Sequence, residues 1–410
     1  MTRTPFAVMA VVAAILLALS LLGGGGEEEA APADPSEPET ASIPVIAKRV
    51  SDIRGFAFKT VPDPVTVTPD QAREEGLEDL DRSYPADKQR ADEEVLKLLE
   101  LIEPAVRLRD ISASTFSQGV AGYYDPRSKR LRIVEGAATG SRVLAEMILA
   151  HELTHALEDQ RFGLGLEDFS GSDDRQLARL AMIEGSASWL MERYADQHFT
   201  AEESLGGALA GAFAGTNSLP AFLEAQLVFP YLGGQQFVEA LRERAGGRWD
   251  LVDLAERSRP PESTEQILHP DKYVGAEAPQ RVPLDVSLPG FERTRDGVLG
   301  EFQTRELLAA AGGGGSSDAA EGWGGDRYEL WQRDGEGDCA APCYRDSVLV
   351  ARWTWDTRRD EAEFARKLRQ WVHDGLDDAA AVRVEHRGGA VTLVLAPDVA
   401  LAEQALESGT

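Results

Sequence analysis

The segment HELTH at residues 151–155 constrains the fold and function of this chain more than any other, because it brings two imidazoles and a carboxylate together. On an α-helix, residues i and i+4 lie on one face about 6 Å apart along the axis, so His151 and His155 can direct ring nitrogens at one metal ion. Zinc fits that geometry. Glu152 lies on the side where a metal-bound water is expected, which is the position of a general base for hydrolysis.

The sequence around this motif predicts a helix. Residues 141–160 contain no proline or glycine, and apolar residues recur at helical spacing. Ser141 is a candidate N-cap, and the pattern ends near Phe162. Two histidines on the apolar side of a helix need partners, because burying polar groups alone is costly. A pair of structural histidines with other partners is the alternative to a metal site.

A zinc hydrolase generally has three protein ligands and one open position, so a third ligand is needed. The metzincin pattern is excluded, because it requires glycine and histidine where this chain has Glu158 and Arg161. A second helix is predicted from residue 173 onward, and Glu184 interrupts its apolar stripe. A carboxylate there is costly unless it is paired or metal-bound, and Gly185 would let this helix approach the first one closely. Glu184 is the candidate third ligand, and a simple salt bridge is the alternative.

At these residues the chain resembles the gluzincin metallopeptidases, of which thermolysin is the familiar member: HELTHALEDQ is followed by a helix with IEGSAS. It is similar in particular to a group of largely uncharacterised bacterial secreted or membrane-anchored zinc peptidases, which share GYYDP (here 122–126) and a segment like PPESTEQILHP (here 260–270). The resemblance covers residues 50–280 and, more loosely, the C-terminal third. It implies an α+β, zincin-like catalytic domain with one zinc ion held by His151, His155 and Glu184, and with Glu152 as catalytic base.

Two further roles remain to be assigned. Thermolysin has an aspartate four residues after its third ligand, where this chain has Ser188, so another residue must orient a ligand histidine; Asp159 is the candidate. The oxyanion formed during hydrolysis needs a hydrogen-bond donor, for which Tyr231 and His269 are the candidates. His269 ranks first because it lies in a proline-flanked segment, and packing or capping is the alternative for both.

The N-terminus predicts export. Arg3 precedes an apolar run from Phe6 to Leu22, and three glutamates follow it. This run is a membrane anchor or a signal peptide, with the rest of the chain outside the cytoplasm. The anchor is favoured because no small-x-small cleavage site follows. Residues 23–45 are rich in Gly, Pro, Ala and Glu and are predicted to be a disordered linker.

The remaining sequence is predicted to contain two folded parts. Residues 46–283 would be the catalytic domain, with short strands at 53–67 and a hairpin at 120–134. In that hairpin, 123–125 and 131–134 are candidate substrate contacts by strand addition, with plain sheet core as the alternative. Residues 284–410 would be a small α+β unit of unknown role, beginning with a connection and a helix at 286–310.

Cysteine and charge add partner and compartment information. Cys339 and Cys343 are the only cysteines and are predicted to form a local disulfide in an oxidising compartment. The formal net charge of −28 excludes nucleic-acid partners and docking on anionic lipid. The acidic pairs at 167–168 and 173–174 lie between the two predicted metal helices. They are candidate calcium ligands.

These features predict a membrane-anchored or secreted zinc peptidase that acts on peptide or protein substrates outside the cytoplasm. The alternative is a non-catalytic extracytoplasmic binding or assembly module that keeps zinc as a structural clamp. A clamp needs no base, so the presence of Glu152 beside a full ligand set favours the enzyme, whereas a closed fourth coordination position would favour the module.

Overall fold

The computed structural model describes residues 41–118, 122–135, 142–164, 171–200, 219–310, 315–333, 341–376 and 381–409. These residues form a mixed α+β fold, which confirms the α+β class predicted from the sequence. Helices make up most of the first part, and the last part combines an antiparallel sheet with helices of similar total length. The predicted anchor at 6–22 lies outside the described residues, and among the described helices none is long and apolar enough to cross a membrane.

The helices of the first part are bounded as follows: α1 Ile43–Arg54, α2 Pro69–Ser83, α3 Ala86–Leu98, α4 Leu108–Gln118, α5 Arg142–Phe162, α6 Asp173–His198, α7 Ala221–Arg244, α8 Asp250–Arg257, α9 Thr264–Leu268 and α10 Pro270–Val274. Helices α1, α5, α6 and α7 share one apolar core, which includes Ile46, Leu153, Leu190 and Phe237. The core is continuous because each helix buries one face against its neighbours. Helices α5 and α6 carry the predicted metal ligands.

Helix α6 begins where the sequence predicts it. The Ser172 hydroxyl accepts a hydrogen bond from the backbone N–H of Arg175 and caps the helix. Asp173 and Asp174 lie in the first turn, where the helix dipole favours negative charge. Helix α5 extends from Arg142 to Phe162, close to the predicted 141–160.

A three-stranded sheet precedes α5. It contains β1 Pro64–Val67, β2 Gly122–Asp125 and β3 Arg130–Val134 in the order β1-β3-β2. Strand β3 pairs in parallel with β1 and antiparallel with β2, so both of its edges are used. The prediction that 131–134 receives a substrate strand is therefore wrong. Strands β1 and β2 are the two edges of the sheet among the described strands, and β2 packs against α5.

The last part is a five-stranded antiparallel sheet in the order β4-β5-β6-β8-β7. Its elements are β4 Phe291–Gly297, α11 Gly300–Ala310, α12 Ser316–Ala320, β5 Trp323–Arg333, β6 Ser347–Trp355, α13 Arg358–Gly375, β7 Ala381–Arg387, β8 Ala390–Ala396 and α14 Val399–Gly409. Helices α11 and α13 cover one face through Leu307, Phe364 and Leu368. Helix α14 covers the other face through Ala402 and Ala405.

The two parts share a core. Helix α3 belongs to the first part in sequence, but its Val95 and Leu98 pack with Trp323 and Phe364 of the last part. The half-buried Arg295 of β4 also binds Asp92 of α3 and Asp173 of α6, each at 2.5 Å. The predicted boundary at 283–284 therefore separates the chain in sequence, while α3 packs across it.

Three predictions about the bounds of secondary structure elements differ from the structure. The linker predicted to reach residue 45 ends earlier, because α1 begins at Ile43 with Pro44 in its first turn, where proline needs no N–H partner. The strands predicted at 53–67 shrink to β1, since α1 continues to Arg54 and stops at Gly55. Strand β4 was predicted as a connection, because FERTRDG is a mostly exposed edge strand without apolar alternation.

Candidate metal centre

Two histidines and one glutamate converge in the helical core. The Nε2 atoms of His151 and His155 lie 3.0 Å apart. Glu184 Oε2 lies 3.1 Å from Nε2 of His151 and 3.4 Å from Nε2 of His155. All three side chains are buried. The predicted ligand set is therefore brought together at one point, with its three donor atoms facing each other.

The spacing of these atoms fits a metal ion. A tetrahedral zinc site with bonds of 2.0–2.1 Å has ligand atoms roughly 3.3 Å apart, and the three separations here range from 3.0 to 3.4 Å. Two imidazole nitrogens and one carboxylate oxygen are also a donor set that zinc accepts. The triad His151, His155 and Glu184 could therefore hold a metal ion.

Helix α6 reaches this position through a close crossing with α7. A Cβ atom built on Gly185 would lie 2.2 Å from the backbone carbon of Gly234, so neither glycine tolerates a side chain. Gly185 was predicted to allow close approach to α5. That prediction is wrong, because the helix that Gly185 contacts closely is α7. The crossing fixes Glu184 and also brings Tyr231, one turn before Gly234, toward the triad.

Tyr231 lies against the metal centre. Its ring stacks on that of His151, with ring centroids 6.0 Å apart and planes inclined by 27°. Its buried hydroxyl makes no hydrogen bond of standard geometry to a described residue, although it faces the Glu184 carboxylate closely enough for a weak one. Burial raises the pKa of Tyr231 well above its usual value, and the carboxylates of Glu184 and Glu152 raise it further. The hydroxyl therefore keeps its proton and is available as a donor.

Glu152 is buried beside the triad. One carboxylate oxygen, Oε2, accepts a 2.7 Å hydrogen bond from the backbone N–H of Tyr124 in strand β2. Burial raises the pKa of Glu152, and the nearby imidazoles of His151 and His155 partly counteract this effect. A carboxylate with a raised pKa can take up a proton near neutral pH, as a general base must.

Charge within the triad is strongly coupled in the metal-free state. Burial would raise the pKa of Glu184, but the two imidazoles outweigh it and lower that pKa to about 2. Burial would lower the pKa of His155, but the Glu184 carboxylate outweighs it and raises that pKa to about 9. Without metal, a proton therefore supplies the positive charge that the buried carboxylate requires, and a bound cation must displace it.

His269 is held elsewhere. It lies between α9 and α10, and its Nε2 atom is 2.8 Å from Glu301 Oε1 on α11. The hydrogen bond with Glu301 raises the pKa of His269, while burial offsets part of that rise. No described contact joins His269 to the triad, so the order predicted for the oxyanion donor is reversed and Tyr231 ranks first. The prolines that flank His269 indicated an exposed loop, and this is why the sequence ranked it first.

The prediction that Asp159 orients a ligand histidine is wrong. Its Oδ2 atom accepts hydrogen bonds from the Tyr124 hydroxyl at 2.7 Å and from Lys129 Nζ at 2.6 Å. The Nδ1 atoms of His151 and His155 are buried without a partner among the described residues. Tyr124 was predicted only as a substrate contact, and no sequence pattern marked its two links to α5.

A second group of ligand-type residues is already neutralised. Glu265, Glu277 and Asp356 bring three carboxylates together. Lys272 Nζ lies 2.5 Å from Glu265 Oε1 and 2.8 Å from Glu277 Oε1, and it also contacts Asp356. Burial lowers the pKa of Lys272, but these carboxylates outweigh it and raise the pKa. The ammonium group therefore occupies the position that a cation would take.

The acidic pair at 173–174, predicted as candidate calcium ligands, is bound by other side chains. Asp173 binds Arg295, and Asp174 accepts hydrogen bonds from the Thr264 backbone N–H at 3.0 Å and from its hydroxyl at 2.5 Å. Both aspartates are thus engaged without an ion, and the calcium prediction is wrong at this pair. Glu167 and Asp168 lie outside the described residues.

Cys343 is disulfide-bonded. Cys339, its predicted partner, lies outside the described residues, so the pairing itself stays a prediction. Cys343 is buried beside α3, where its backbone N–H donates a 2.7 Å hydrogen bond to Glu94 Oε1. The loop that carries the cysteines is therefore fixed to the shared core of the two parts.

Comparison with known protein families matches part of the chain. A family model described as a domain of unknown function (DUF8575) matches residues 287–406, which extend from just before β4 into α14. No curated protein and no solved structure matches the chain. The matched segment lies within the predicted C-terminal unit of residues 284–410 and does not include the metal triad.

Proposed function

We propose that this chain is a zinc-dependent peptidase of the gluzincin type. The observation that carries this proposal is the convergence of His151, His155 and Glu184, at tetrahedral spacing, with Glu152 and Tyr231 beside them. The triad supplies a ligand set, and the other two residues supply a proton acceptor and a proton donor. Hydrolysis of a peptide bond requires all three functions.

The residues divide the reaction between them. When bound, zinc supplies a Lewis acid that polarises the peptide carbonyl and lowers the pKa of water. Glu152 accepts the proton of the attacking water and later delivers it to the leaving amine. The Tyr231 hydroxyl, which makes no hydrogen bond of standard geometry in the metal-free site, donates a hydrogen bond to the oxyanion. The imidazoles of His151 and His155 hold the metal through Nε2.

Strand β2 is the proposed platform for the substrate. It is one of the two edge strands of the described small sheet, and it is the one that lies next to the motif helix. An extended peptide can pair with such an edge through main-chain hydrogen bonds, at groups other than the Tyr124 N–H that Glu152 already uses. Because main-chain pairing does not depend on side chains, it supports a peptide or protein substrate without defining which residues flank the cleaved bond.

The alternative is a structural zinc site in a non-catalytic extracytoplasmic module. The depth of the triad favours it, since His151, His155 and Glu184 each expose less than a tenth of their surface. A structural site, however, has no use for an additional buried carboxylate such as Glu152 or for a buried hydroxyl such as that of Tyr231, which makes no hydrogen bond of standard geometry. Both are costly to bury and therefore support the enzyme.

The proposed location is outside the cytoplasm, with residues 6–22 as anchor or signal. The disulfide at Cys343 supports this, because disulfides persist in oxidising compartments. Thiol labelling before and after reduction, combined with protease treatment of intact cells, tests it. Full labelling without reductant together with protection from external protease would place the domain in the cytoplasm.

The chemical proposal is tested with Glu152→Gln in the full-length protein. The amide cannot accept the proton of water, so we expect kcat to fall by about 10³-fold while zinc content and thermal stability are kept. Digestion of a peptide library, read by mass spectrometry, measures the cleavage and also reveals the preferred residues. Unchanged cleavage by zinc-loaded Glu152→Gln would contradict the mechanism.

A further inference from the structure

Tyr124 connects strand β2 to helix α5 at two points. Its backbone N–H donates a hydrogen bond of 2.7 Å to Glu152 Oε2, and its hydroxyl donates one of 2.7 Å to Asp159 Oδ2. We infer that Tyr124 is a positioning residue, which sets the orientation of the Glu152 carboxylate by clamping the edge strand to the motif helix. This inference rests on the proposed function for its catalytic consequence.

The helix geometry explains why one residue can make both contacts. Glu152 and Asp159 are seven positions apart on α5, which is close to two full turns, so both face the same side of the helix. That side faces β2, since the strand packs against α5. Tyr124 therefore lies along the helix, with its main chain at one end of the contact and its hydroxyl at the other.

Lys129 strengthens the clamp from the hairpin turn. It has a positive φ of 57°, a conformation that is uncommon for a residue with a side chain. Its Nζ atom lies 2.6 Å from Asp159 Oδ2, the same oxygen that accepts the Tyr124 hydroxyl. The Asp159 carboxylate thus ties both strand β2 and the β2–β3 turn to α5.

The clamp affects catalysis through geometry. A general base must be held within hydrogen-bond reach of the water that it deprotonates, and small displacements of such groups reduce rates strongly. The Tyr124 N–H fixes one oxygen of Glu152 and leaves the other for the reacting water. If the hydroxyl anchor is lost, the strand is free to shift and the carboxylate orientation becomes less defined.

Tyr124→Phe in the full-length, zinc-loaded protein tests the kinetic consequence. It removes only the hydroxyl, so we expect kcat to fall about ten-fold, with KM within about two-fold and zinc content unchanged. Tyr273→Phe is the matched control, because the Tyr273 hydroxyl also bonds within the protein, to the Arg259 carbonyl at 2.9 Å. The control should keep both kinetic constants, and an unchanged kcat in Tyr124→Phe would overturn the inference.

Hydrogen exchange at the backbone amide of position 124 tests the clamp without reference to activity. This N–H points to Glu152, so its protection depends on that bond. Residue-level mass spectrometry on metal-free protein should show about ten-fold faster exchange in Tyr124→Phe and in Asp159→Ala than in the wild type. Equal rates would overturn the clamp.

The two readouts separate this inference from the proposed function. An inactive wild type with faster exchange in both variants would refute the peptidase and leave the clamp supported. An active wild type with normal kcat and normal exchange in Tyr124→Phe would refute the clamp and leave the peptidase supported. A rise in KM at constant kcat would also refute positioning of the base, because it would make Tyr124 a substrate contact.

Discussion

Two groups of three ligand-type side chains in this chain differ in how their charge is balanced. In the buried triad His151, His155 and Glu184, the described residues provide no lysine or arginine to the single carboxylate. In the group Glu265, Glu277 and Asp356, Lys272 lies among the three carboxylates. Both satisfy a distance criterion for metal binding, so distance alone does not identify a metal site.

The difference shows what a metal site requires in addition to converging donors. A buried carboxylate must have a compensating cation, which the chain itself or an external ion can supply. Lys272 supplies it internally, and the second group acts as an ion-pair network that joins α9, α10 and the end of β6. Without metal, the first triad must rely on a proton at His155, whose pKa is raised to about 9. Of the two groups, only the first triad therefore lacks a side-chain cation among the described residues.

The largest effect that separates the two groups is on zinc affinity. Glu184→Ala removes a ligand and its charge. Loss of a residue that only hydrogen-bonds to a metal ligand reduces affinity by up to about 100-fold, so we expect zinc affinity to fall by more than about 100-fold here. Glu277→Ala removes a carboxylate from the other group and should leave zinc affinity unchanged. Titration against a chromophoric chelator measures both. Equal loss in the two variants would abolish the distinction between the groups.

Lys272→Ala should convert the second group into a site that lacks its cation. Three facing carboxylates would then repel each other, and we expect the free energy of unfolding to fall by about 2–3 kcal/mol. Millimolar calcium should recover about 1 kcal/mol in this variant, since oxygen ligands bind calcium at such concentrations. Urea denaturation with and without calcium measures this. Equal stabilisation of the wild type by calcium would show that Lys272 does not fill the site.

A smaller effect concerns pH. Burial raises the pKa of Glu265 to about 7, although Lys272 counteracts it. Because the folded pKa exceeds the unfolded one, the folded state binds the proton more tightly. The contribution of Glu265 is full below about pH 4.5 and is lost as pH rises through about 7. Between pH 5 and 8, Glu265→Gln should therefore lose roughly 1–3 kcal/mol less stability than the wild type. Urea denaturation of both proteins at pH 5 and pH 8 measures this. An equal change in the free energy of unfolding between the two pH values for wild type and Glu265→Gln would contradict it.

The two helices that carry the candidate metal ligands could be predicted from the sequence, because each is marked by residues close together in the chain. The HELTH spacing and the lone Glu184 in an apolar stripe determine which faces carry donors, and the structure brings those donors together. The Gly185–Gly234 crossing could not be predicted, since it joins segments 49 positions apart (234 − 185) and either glycine could equally have met α5. The glycine pair within the middle of α7 was the one available signal.

Long-range polar contacts were the least predictable features. The sequence places Asp159 on α5 but does not show that Tyr124 and Lys129 use its carboxylate. It also did not show that Lys272 would occupy the second acidic group, or that Glu301 would hold His269. Such pairings depend on how the two parts of the chain pack together, and strand β4, a polar edge strand, lacks the alternation that would have revealed that packing.

The most direct test of the central claim is zinc K-edge X-ray absorption on the purified full-length protein, with elemental analysis of the same sample. We expect one zinc per chain, bound by two imidazole nitrogens, one carboxylate oxygen and one further light-atom ligand from solvent at about 2.0–2.1 Å. Glu184→Ala should lose this signal. A wild-type sample without zinc after incubation with the metal would contradict the metal centre. A fourth ligand from the protein would contradict the catalytic site and establish the structural clamp.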